Sequence, residues 1–248
     1  MKSKSIYKYI YFGTALRYLQ DAKEGHPIKG DGRILLNLNT FLSCLEEFHL
    51  PVTQRAAGEL MSFKDEIKKL EGSLTEEQAS NLGTIMTDLR KTLFAEASGN
   101  IAYIVVDKRI DVNKLLSGVS SLMAPGVFDK LPTIAKYDFE EAGKCIAFER
   151  PTAAAFHILR GTESVLRKYY CSIVKRNRVD PLLWGPMVES LKRRRNPLTT
   201  LLNHLDHIRE DYRNPTQHPE KIYDIEEVQE LFNLCIEAVT RMAASFLS

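Results

Sequence analysis

The chain has 248 residues, 44% of them hydrophobic and 27% charged, with a formal net charge of +2. Those values describe a globular protein with one large or two modest cores and exclude a disordered or low-complexity chain. The small net charge provides no global field for nucleic acid, so any RNA affinity must come from a local patch.

From the N-terminus, residues 7–20 read as a helix. The basic start MKSKSIYKYIYFG is interrupted by Tyr and Lys and lacks the continuous apolar run of a signal peptide. The loop HPIKGDGR follows, with Gly30 and Gly32 in a turn; neither completes a glycine-rich phosphate fingerprint. A second helix is built on Ile34, Leu35, Leu38, Phe41, Leu42 and Leu45, and Pro51 opens a third that runs through Leu70. Ser73 with Glu76 forms a capping box for a fourth helix to about Ala97, closed by Gly99. The run IAYIVVDKR (101–109) is β-branched and aromatic, and reads as a short strand near 101–107 or as a helix start. Gly118, Pro125, Gly126 and Pro132 then break the chain into short pieces, which places a junction near Leu131.

The second half reads as helices over 138–149, 152–175, 184–194 and 197–213, with a last helix from about 225 capped by Asp224 and carrying Glu227 in its first turn. Along that last helix Ile225, Val228, Phe232, Cys235, Val239, Met242 and Phe246 recur in steps of three and four. The expected fold class is therefore all-α: residues 1–131 form an N-terminal helical region and residues 132–248 a helical bundle of up-and-down type. Cys44, Cys145, Cys171 and Cys235 are scattered through apolar stripes and read as buried thiols, with neither disulfide nor metal spacing. His204 and His207 lie three apart with no further ligand nearby, so one is expected to pack and the other to be exposed. No metal and no cofactor is expected. No segment approaches the roughly 18 apolar residues of a membrane span, which points to a cytoplasmic protein.

Chemistry concentrates in Tyr212-Arg213-Asn214-Pro215-Thr216-Gln217-His218-Pro219. Arginine is permanently charged and offers a planar fork of donors matched to phosphate oxygens, while an unperturbed imidazole exchanges a proton near neutral pH. Pro215 and Pro219 are expected to push Asn214 and His218 out of the α region, ending the helix at Arg213 and leaving His218 on a turn. The segment HIREDYRNPTQHPEKIYDIEEVQELFNLCIEAVTRM resembles the last two helices of a HEPN domain, whose signature is Arg, four to six residues, then His, commonly with a polar residue after the Arg. Arg213, Asn214 and His218 match it, and AAAFHILRGTESVLRKYY resembles an earlier helix of the same family. The resemblance covers roughly Asp138 to Ser248.

The resemblance implies a metal-independent endoribonuclease in which two copies pair, His218 moves a proton and Arg213 stabilises the charge of the phosphorane. Its implied setting is RNA cleavage in phage defence or a toxin-antitoxin pair, with a homodimer through the C-terminal half and an antitoxin or defence-system partner. A non-catalytic HEPN module that binds nucleotide, RNA or protein is the alternative. Arg160, Glu163 and Arg167 share a helix face and either orient Arg213 or contact RNA, or else form a solvated set of ion pairs. Lys192, Arg193, Arg194 and Arg195 are the densest basic run, suited to phosphate backbone contacts or to solubility. Trp184 reads as a core or interface anchor. Tyr223, five residues after His218, sits too far along to match the tyrosine that is modified by nucleotide transfer in HEPN toxins.

Overall fold

The computed structural model describes residues 5–30, 33–195 and 197–245. Among these the fold is all-α, and the only β-type pairing is an isolated bridge between Pro27 and Ser73. The chain divides into two compact units, 1–103 and 104–248, each with its own apolar core. No helix among the described residues is long and apolar enough to cross a membrane.

The first unit contains α1 (Ile6–Gln20), α2 (Ile34–Glu47), α3 (Pro51–Ala56), α4 (Gly58–Ile67) and α5 (Glu76–Ala97). Leu19, Ile34, Leu38, Phe41, Leu60 and Leu82 close its core. The expected single helix from Pro51 to Leu70 is broken at Ala57, between α3 and α4. The capping box of α5 is built by Thr75 and Gln78 rather than by Ser73 and Glu76. Thr75 Oγ1 accepts from the Gln78 N–H at 3.2 Å, and Gln78 Oε1 accepts from the Thr75 N–H at 3.0 Å. Gly30 has a φ of +108°, as a turn glycine should. Gly32 lies outside the described residues.

Glu96, near the end of α5, caps the start of α3. Its carboxylate accepts from the N–H groups of Val52 and Thr53, both at 2.8 Å, and from the Thr53 hydroxyl at 2.7 Å. Desolvation works to raise its pKa, but the hydrogen bonds from Thr53 and Val52, with Arg55 nearby, outweigh it and hold the carboxyl below its ordinary value.

The second unit contains α6 (Val112–Ser117), a 3₁₀ turn (Val119–Leu122), α7 (Val127–Lys130), α8 (Thr133–Ala147), α9 (Pro151–Ile173), α10 (Trp184–Lys192), α11 (Thr199–Ile208), a π-helical turn (Arg209–Arg213), a single turn α12 (Asn214–Thr216) and α13 (Ile225–Ala244). Helix α9 packs on both α8 and α13, and α11 packs on α13. Val228, Phe232, Cys235, Val239 and Met242 are all fully buried, while Ile225 is half-buried. Phe246 lies outside the described residues. Asp224 caps α13 by accepting from the Glu227 N–H at 2.8 Å. Trp184 is a core residue, its indole N–H donating to the Leu205 carbonyl at 3.1 Å.

Two sequence expectations are corrected here. The junction lies at 103/104 and not near Leu131, because Leu115, Val119, Met123, Val127 and Leu131 all enter the core of the second unit; the Gly and Pro breaks separate short packed turns rather than domains. Residues 101–108 form neither strand nor helix, since β-branched composition yields a strand only where a neighbouring strand completes the ladder.

Phe232→Ala should cost about 3–5 kcal/mol in chemical denaturation, as for other buried aromatics; a loss under about 1 kcal/mol would mean that α13 buries another face. For Glu96, a folded pKa below the unfolded one gives stability that is complete above about pH 4.3 and fades as pH falls through the folded value. Glu96→Gln should therefore lower the Tm at neutral pH, with the gap to wild type closing in acid. A gap that persists in acid would assign the effect to packing instead of charge.

Candidate functional site

A cleft of about 740 Å³ opens in the second unit. One wall is a face of α9 carrying Phe156, His157, Arg160, Glu163, Ser164 and Arg167, spaced at helical intervals. Arg213, Thr216 and Gln217 form the other wall and Ile134 of α8 the rim.

Beneath the α9 wall lies Asp138, a carboxylate with no solvent exposure. Burying an ion is costly unless it is paired and hydrogen-bonded. Arg160 meets it through two donors, Nε to Oδ2 at 2.8 Å and Nη2 to Oδ1 at 2.6 Å. His157 Nδ1 lies 2.8 Å from Oδ1. The hydrogen bonds that Arg160 donates to Asp138 raise the already high pKa of its guanidinium further. Gly161 makes this approach of α9 to α8 workable, since a Cβ there would stand 3.1 Å from the Asp138 Cβ and 3.4 Å from the Phe139 ring.

Glu163 organises the remaining cations. Its Oε1 accepts from Arg167 Nη2 at 2.7 Å, and its Oε2 lies 3.6 Å from Arg213 Nη2. Glu163 is 16% exposed, Arg213 28% and Arg167 50%. Pairs this close to solvent add little stability. Their effect is geometric: one carboxylate sets two guanidinium forks on opposite walls of one cleft.

The turn that carries Arg213 has its own support. The Thr216 hydroxyl donates to the Tyr212 carbonyl at 2.6 Å, and the Tyr223 hydroxyl sits 2.6 Å from Thr216 Oγ1 and 3.2 Å from that same carbonyl. Tyr223 is buried, and burial raises its phenol pKa against the lowering effect of the Thr216 bond. Asn214 is not pushed out of the α region as Pro215 led one to expect; its φ and ψ are −68° and −50°. The π-helical turn is the reason. Its wider register takes the Asn214 N–H to the Arg209 carbonyl, so the chain passes Pro215, which has no N–H to give, without ending at Arg213.

The expected site residues therefore separate. Arg160, Glu163, Arg167 and Arg213 come together in the cleft. Asn214 is exposed and outside the lining, and so is His218, which sits on a bend after α12 with its N–H bonded to the Pro215 carbonyl at 2.9 Å. Lys192 is held by Asp206 and Glu189, and Arg193, Arg194 and Arg195 are exposed at the end of α10, away from the lining. His207 pairs with Asp211 at 2.9 Å on the surface, while His204 is half-buried, its pKa lowered chiefly by desolvation. His157 and Asp138 were missed in the sequence. The available signal was a charged residue at 138 on the otherwise apolar face of Ala135, Phe139, Ala142 and Ile146.

Comparison with family models, with curated proteins and with solved structures finds no match for the chain.

Arg160→Met leaves Asp138 with only the His157 contact and should destabilise the unit by about 1–3 kcal/mol in urea denaturation, the range for a buried acceptor losing charged donors. An unchanged midpoint would mean that water replaces Arg160 without cost.

Proposed function

We propose that the C-terminal unit is a HEPN-type endoribonuclease that cuts RNA without a metal, with Arg213 holding the scissile phosphate and His218 exchanging a proton. The supporting observation is that Arg160, Arg167 and Arg213 converge on one cleft, two of them oriented by Glu163. Planar guanidinium forks suit a phosphodiester and the charge that grows on its oxygens during displacement. RNA is favoured over a free anion by the rim. Phe156 is 52% exposed and Ile134 44% exposed beside the arginines, an arrangement on which an unpaired base can stack.

In this reading the ribose 2′ oxygen attacks phosphorus, the bond to the 5′ oxygen breaks, and the products are a 2′,3′-cyclic phosphate and a 5′ hydroxyl. Each chain brings one Arg213 and one His218, so a twofold pairing of two copies supplies two of each. An exposed His218 outside its own chain's cleft fits a site that a second copy completes. The same position of His218, with Asn214 also outside, favours the second reading, a module that binds RNA or nucleotide without cutting it.

The two are separated by incubating the full chain with single-stranded RNA in excess chelator. Cleavage is expected, with cyclic-phosphate or 3′-phosphate ends and with DNA left intact. His218→Ala should reduce the rate roughly 10²–10⁴-fold, the usual worth of a general acid or base, while the fold and dimer persist. Arg213→Lys should fail as well, because an ammonium does not reproduce the fork. Cleavage that needs magnesium, or that survives both substitutions, would leave the binding module as the function. Phe156→Ala should weaken RNA binding by about 1–3 kcal/mol by fluorescence anisotropy, and unaltered affinity would remove the stacking rim from the account.

A further inference from the structure

Transesterification of RNA uses two proton transfers, one from the 2′ hydroxyl and one to the departing 5′ oxygen. Within one chain the Arg213–His218 motif brings a single imidazole. The cleft holds another. We propose that His157 is the base that takes the 2′-hydroxyl proton, held in its tautomer by Asp138, and that His218 acts as the acid. This assignment rests on the ribonuclease reading above.

The tautomer follows from the bonding. Asp138 is buried, and Arg160, which has only donors, reaches both of its oxygens, so the carboxylate stands as the acceptor. The proton in its contact with His157 must then sit on Nδ1, which leaves the lone pair of a neutral ring on Nε2. Among the described residues no hydrogen bond engages Nε2, and His157 lines the cleft on the face that bears Arg160 and Glu163. The ring plane is set by Tyr137, packed edge-on with centroids 6.2 Å apart. Arg160 alone already reaches both oxygens of Asp138, so the contact does more to orient the imidazole than to satisfy the carboxylate. A buried carboxylate that fixes one ring nitrogen and frees the other is the arrangement by which a histidine becomes an oriented base.

The proton balance closes. The 2′ proton passes to His157 Nε2 as the bond from O2′ to phosphorus forms, the bond from phosphorus to O5′ breaks, and O5′ takes a proton from His218. Exchange with water returns both rings to their starting states.

The test uses the full chain, ordinary RNA and RNA in which the bridging 5′ oxygen is replaced by sulfur, which departs without protonation. The principal variant is His157→Asn, whose amide keeps a donor toward Asp138 Oδ1 while removing Nε2. It should lose roughly 10²–10⁴-fold in kcat on both substrates, with unchanged affinity for a 2′-O-methyl RNA. His218→Ala should lose activity on ordinary RNA and recover it on the sulfur substrate. Nitrogen NMR of the wild-type imidazole should show the Nδ1–H tautomer for His157. The inference alone is overturned if wild type cleaves and His157→Asn keeps pace, if the sulfur substrate rescues His157→Asn, or if the proton is found on Nε2. Wild type that cleaves neither substrate overturns both the inference and the ribonuclease reading.

Discussion

The cleft of the second unit is organised around one buried carboxylate. Asp138 has no contact with water and lies where α8 meets α9, so its charge must be balanced by groups that come to it. Arg160 and His157 do so from the outer face of α9, and Gly161 gives the two helices room to close at that point. Replacing such a group by an apolar residue of similar size is often neutral or stabilising. Stability is therefore a poor explanation for its presence. What it does explain is the fixed positions of a guanidinium and an imidazole at the edge of a cleft.

From that anchor the cleft builds outward by charge matching. Glu163, one turn beyond Arg160, shares its two oxygens between Arg167 on its own helix and Arg213 across the cleft. The Arg213 wall is shaped by the π-helical turn and held by the hydroxyls of Thr216 and Tyr223 around the Tyr212 carbonyl. A π-turn costs regular hydrogen bonding and recurs at functional sites. Here it carries Arg213 to the cleft and His218 past it, and that separation motivates both the proposed pairing of two copies and the proposed role of His157.

The helices were legible in the sequence wherever apolar periodicity was long, as in α2, α5, α9 and α13. In α13, residues 228, 232, 235, 239 and 242 all reached the core. Boundaries set by competing local signals were less legible: Ser73 with Glu76 and Thr75 with Gln78 both fit the capping pattern, and Thr75 is the residue that caps the helix. The stretch 101–108 had strand chemistry but no partner strand, a tertiary fact that composition cannot carry. The break at 103/104 was hidden because the glycines and prolines at 118–132 mark turns between buried pieces. At the site, Arg160, Glu163, Arg167 and Arg213 could be named because three share a helix face and the fourth stands in a motif. His157 required knowledge of Asp138, which lies nineteen residues away and is joined to it by α8–α9 packing alone. The placement of Asn214 turned on a π-register that no residue pattern announces.

Under the proposed function, the cleft between α9 and the Arg213 turn holds an RNA phosphate. The most direct measurement is a crystal structure of the full chain with a short single-stranded 2′-O-methyl RNA, which cannot be cleaved by 2′ attack. A phosphate is expected against the Arg213 guanidinium, with the neighbouring sugar facing His157. A strand lying instead along Arg193–Arg195, with the cleft empty, would contradict it.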